Sequence, residues 1–113
     1  MDATAYKESR RLAAANAATA MIEGSVGIIE GCRLLHSLSY DIVPDWRADE
    51  DFGLFGAVAS ETDVLPIGSV RQHWDALALE REDAKIAHAE NLYREQVVAA
   101  CAHLLGRLRD AHI

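Results

Sequence analysis

The chain reads as an all-α domain on three observations: apolar residues recur at spacings of three and four over long stretches, no segment alternates apolar and polar residues as a strand would, and both prolines sit in the middle third. At 113 residues it is too short to divide well into two cores, so residues 1–113 are expected to form one helical domain. Half of the residues are hydrophobic and 26% are charged, a balance that supports a modest core and excludes disorder by composition.

The first element is expected over about 4–38. Leu12, Ala15, Thr19, Ile22, Val26 and Ile29 form an amphipathic stripe there, which is read as the core face. Gly24, Gly27 and Gly31 each weaken a helix interior by about 1 kcal/mol relative to alanine, so they mark a bend or a close backbone approach. Tyr40 to Asp45 contains Pro44 and is a connection. Asp49, Glu50 and Asp51 precede Phe52, Phe55 and Val58, the pattern of a short helix whose free amides are capped by carboxylates. Ser60 to Gly68 is a loop. Ser69 and Gln72 have capping-box spacing and predict a helix carrying Val70, Trp74 and Leu77, which Glu80 to Asp83 either decorate or terminate. A second long helix is expected over about 83–110, with Arg107 and Arg109 complementing its macrodipole.

Two helices of roughly 45 Å do not fit in a sphere of about 35 Å diameter. Either the first one bends at its glycines, or a long hairpin leaves an apolar stripe for a second copy. A homodimer is the favoured expectation.

Charge divides function classes. The formal net charge is −7, and a chain this acidic lacks the basic footprint that nucleic acid requires. Seven carboxylates between Asp41 and Asp63 face Arg47 alone, a net of −6 that leaves only −1 for the rest of the chain. A field so concentrated steers basic partners, so Asp45, Asp49, Glu50 and Asp51 are candidate contact residues, with Trp46 as an aromatic anchor. The competing reading is a solvated connection whose acids cap helix ends.

Two cysteines, Cys32 and Cys101, are too few for a disulfide-stapled secreted domain and point to a reducing cytoplasm. The Ala-rich run after Arg10 and Arg11 imitates a signal peptide, but Glu8, Asn16 and Thr19 spoil it. No apolar run approaches the length of a membrane span, so a soluble protein is expected.

Candidate chemistry is sparse. Glu23 and Glu30 share a helix face, yet no Glu-x-x-His pair accompanies them, and Cys32 with His36 supplies only two zinc ligands; no metal or cofactor is expected. Cys32 as a nucleophile would need an accessible thiolate. A calcium loop from Asp49 fails at Gly53 and Ser60. Similarity to helical nucleotide pyrophosphatases stops at Glu80-x-x-Asp83, because the upstream Glu-x-x-Glu is missing. The densest polar constellation, Glu30, Arg33, Glu61, Asp63, Arg71 and Trp74, is expected to form a structural ion network or a small pocket.

At Glu30-Gly31-Cys32-Arg33, and at Ser60 to Gly68 continuing to Arg71 and Trp74, the chain resembles short bacterial helical proteins of unknown function. That resemblance implies a fold and no activity. By size and charge alone the protein is also similar to acidic immunity factors that neutralise toxins. The expected function is therefore a non-catalytic module that binds a basic protein. The alternatives are a small-molecule or metal-dependent hydrolase built from Glu30, Glu61, Asp63 and Arg71, and a purely structural oligomer.

Overall fold

A computed structural model describes residues 2–113 and shows four α-helices: α1 (Ala3–Glu23), α2 (Ile28–Ser39), α3 (Glu50–Glu61) and α4 (Ala76–Arg109). Short 3-10 turns lie at Trp46–Ala48 and Gly68–His73. The helices pack as one bundle in which α2 and α4 each touch all three others. The bundle measures 47 × 30 × 25 Å with a radius of gyration of 14.8 Å. Among the described residues no helix is long and apolar enough to cross a membrane.

The first expected helix is broken into two. Gly24 ends α1 in the left-handed region (φ +82°), and its amide and that of Ser25 return to carbonyls of Ala20 and Met21, closing the orphan end of the helix. The bend the glycines implied is thus a reversal, and it lets the bundle close within one chain.

The face of α1 is also corrected. Its buried residues are Ala14, Ala17, Ala18 and Met21, while Leu12 and Ile22 are 63% and 41% exposed. Small side chains face inward because α1 lies close against α2 and α4. Gly31 shows how close: a Cβ there would stand 2.2 Å from the Met21 sulfur. Of the stripe expected to be core, only Ile29, now in α2, is fully buried.

Asp49 caps α3 as its position implied, accepting hydrogen bonds from the amides of Asp51 and Phe52 at 3.0 Å. Phe52 and Phe55 are fully buried and meet edge to face, with ring centroids 5.9 Å apart. They join Leu35 and Val58, and with Val97, Cys101 and Leu104 of α4 they make the core.

Ser69 does not start a helix. The segment forms a 3-10 turn, because Arg71 donates to the Pro66 carbonyl and to both oxygens of Asp83, which pins the turn against α4. The capping role falls to Asp75, whose side chain accepts from Ala78 N at 2.8 Å. From there α4 runs without interruption through Glu80 to Asp83, so Asp83 neither breaks nor caps a helix. The α2 N-terminus has no cap within its own segment. Glu90 of α4 supplies one, accepting from Ile29 N at 3.1 Å.

Candidate functional site

The acidic segment is positioned by the α2–α3 hairpin and the connection between its helices, and its seven carboxylates divide into two groups. Asp49 and Asp51 point inward. Arg107 binds Asp49 at 2.6 Å and Asp51 at 2.8 Å, and His103 meets Asp51 through Nδ1 at 2.7 Å, with Glu50 3.6 Å from its other nitrogen. Asp51 is only 4% exposed, so this pair is a buried clamp between α3 and α4 rather than a free surface. The expectation that Asp49 and Asp51 face a partner is corrected accordingly. Burial alone would push the Asp49 carboxyl up, but the Arg107 hydrogen bond and the amides of Phe52 and Asp51 outweigh it and hold the group below the usual carboxylate range.

The His103 imidazolium is favoured mainly by its hydrogen bond to Asp51, then by the charges of Asp51 and Glu50, and its pKa is raised above 6.5. A raised pKa gives a contribution to stability that is complete below the unfolded value of about 6.5 and is lost as pH rises through the folded value. His36 works the other way, because burial first and Arg47 second lower its pKa. The difference between wild type and His103→Gln therefore isolates the clamp: the melting-temperature gap between them should be widest at mildly acidic pH and shrink at alkaline pH. A gap independent of pH would show that the imidazolium contributes nothing.

The second group of acids remains outside. Asp41, Asp45, Glu50, Glu61 and Asp63 are exposed, although Asp41 accepts from the Tyr6 hydroxyl, Asp45 caps the first 3-10 turn through Arg47 N, and Glu61 accepts from the Tyr93 hydroxyl. Trp46 is half-buried rather than a projecting anchor. Its ring lies over Gly56, where a Cβ would clash at 2.2 Å, stacks edge-on to His36 at 4.4 Å, and carries Arg47 above its face at 4.5 Å.

The constellation of Glu30, Arg33, Glu61, Asp63, Arg71 and Trp74 does not converge. Arg33 reaches across from α2 to the carbonyls of Thr62 and Leu65, holding the end of α3 and its loop. Arg71 pairs with Asp83, Glu61 with Tyr93, and Trp74 is exposed beside the start of α4. Glu30 faces solvent. What does form is an open cleft of about 450 Å³ between α2 and α3, lined by Arg33, His36, Ala59, Ser60 and Asp63. Of the hydrolase candidates only Asp63 lines it. Leu34 on α2, Tyr40 at its C-terminal cap and Val64 beyond α3 are exposed large apolar residues on the hairpin that forms this cleft.

Both thiols are fully buried and unpaired. Burial pushes Cys32 up to about 12 and Cys101 up to about 11, so neither offers a thiolate at neutral pH. Among the described residues no three His, Cys, Asp or Glu side chains come together as metal ligands.

Sequence reasoning missed the role of His103 and Arg107. Their i, i+4 spacing on α4 matches the Asp49-x-Asp51 pair at a helix start, and that match was the available signal. Nothing local marked Glu90 as a cap for a helix sixty residues earlier. No protein-family model, curated protein or solved structure matches this chain significantly.

Proposed function

We propose that the protein is a non-catalytic interaction module whose α2–α3 hairpin binds a basic segment of another protein. The observation that carries this reading is the division of the acids: after Arg107 takes up Asp49 and Asp51, Asp41, Asp45, Glu50, Glu61 and Asp63 remain exposed on the hairpin and its connection, together with Glu30. Of the two arginines there, Arg33 is engaged by backbone carbonyls and Arg47 lies over Trp46. Leu34, Tyr40 and Val64 add apolar contact surface, so an amphipathic basic helix is the occupant this chemistry fits. An inhibitor or immunity-type factor against a basic protein is the biological form most in keeping with the size and charge. A cytoplasmic setting is supported by the two unpaired buried thiols.

The test is site-specific photo-cross-linking from position 64, followed by titration of the purified pair at low and high salt. Binding should weaken as salt rises, and Asp45→Lys with Glu50→Lys and Asp63→Lys should weaken it at least ~10-fold under conditions where the variant is folded, with a fall of only a few degrees in melting temperature because Asp45 also caps a turn and Glu50 faces His103. Affinity untouched by salt and by the triple reversal would refute the module.

A further inference from the structure

The structure assigns a second binding surface, on different helices: we infer that the outer face of α1 pairs with the same face of a second copy of this chain, antiparallel. Glu8, Leu12, Ala15, Thr19 and Ile22 follow alternating spacings of four and three and so fall on one face of α1. The bundle does not use this seam. Leu12, Thr19 and Ile22 are exposed and Ala15 half-exposed, and beside Leu12 the surface continues as a groove of about 340 Å³ whose apolar lining includes Leu105 and Leu108 of α4.

The occupant follows from the order of sizes and charges. Along α1 the seam reads large, small, small, large, so an antiparallel two-fold sets Leu12 against Ile22 of the second copy and Ala15 against Thr19 in two mirrored layers, with small residues where the axes come closest. A parallel pair would stack the two N-terminal halves, each bearing Lys7, Arg10 and Arg11 against Asp2 and Glu8, a side-chain net of +1. The antiparallel pair instead brings that basic half toward the end of the other α1, where Glu23 is the only charge, and opposes the two helix dipoles. The seam from Leu12 to Ile22 spans about 16 Å of helix and falls short of the ~1,200 Å² of a stable interface, so weak association, with dissociation at tens of micromolar or above, is expected.

Sedimentation velocity over a concentration series tests this directly. The wild-type mass should rise from monomer to dimer with concentration, and Leu12→Lys with Ile22→Lys should raise the dissociation constant at least ~10-fold with an unchanged melting curve. A second measurement does not depend on that variant folding: Asn16 sits at the edge of the seam nearest the two-fold, so Asn16→Cys should give a cross-linked dimer with oxidised glutathione, whereas Leu77→Cys, on the distant end of α4, should not. A wild-type monomer at ~1 mM, a lysine variant that dimerises undiminished, or absence of the position-16 cross-link would each overturn the inference.

Discussion

Phe55→Ala is expected to lower the free energy of unfolding by about 4 kcal/mol. The ring is fully buried, and it meets Phe52 edge to face one turn back along α3. Removing it forfeits the transfer term and the aromatic pair together, and leaves a cavity that flanking helices cannot fill without moving. Against a total stability of roughly 5–15 kcal/mol for a domain, a loss of this size brings the transition close to working temperature. Urea titration of both proteins measures it. The informative control is Leu12→Ala, which should change stability by under about 0.5 kcal/mol at concentrations where the chain is monomeric, although Leu12 is as apolar as any core residue. A loss near 1 kcal/mol for Phe55→Ala would mean that α3 does not pack as described.

Arg107→Ala should cost about 3 kcal/mol, for a different reason. Its guanidinium binds two carboxylates at once, and all three side chains keep 15% or less of their surface in water. Deleting the cation leaves Asp51 buried with only His103 facing it, so the penalty is the uncompensated carboxylate more than the lost attraction. The melting temperature should fall by roughly 10 °C. If that explanation is right, Arg107→Met combined with Asp49→Asn and Asp51→Asn recovers most of the loss, since asparagine still caps α3 and no charge is left stranded. Failure of the triple variant to recover would locate the cost in packing of the arginine stem instead. Below about pH 4 the wild type should approach the Arg107 variant. Asp49, whose folded pKa is depressed, contributes its full stability above its unfolded value near 3.8, and this is lost as pH falls through the folded pKa.

These two sites show what one-dimensional pattern can carry. The α3 start was readable because capping is local: Asp49 acts on amides two and three residues away, and the aromatic spacing of Phe52 and Phe55 declares the buried side. The α1 core face was not readable, because periodicity weighs large apolar residues and α1 packs through alanines that approach closely instead of filling space. The same bias joined 4–38 into one helix, since the turn at Gly24 leaves the three- and four-residue spacing nearly undisturbed on either side. The supposed helix at Ser69 failed on a non-local fact, the hold of Asp83 on Arg71. The acidic segment was legible as a total and illegible in its division, because a count of charges cannot say which of them meets a cation from the far end of the chain.

The Glu90 contact has a consequence for the order in which the chain can assemble. The first turn of α2 presents an amide that only a carboxylate sixty-one positions later satisfies, so a nascent chain that has released α1 and α2 but not the middle of α4 holds an unfinished helix end. In the N-terminal pair alone that amide is left to water, and this helix end reaches its final arrangement only with α4. Completion waits for the last third of the polypeptide, which ties the two ends of the molecule into a single cooperative event.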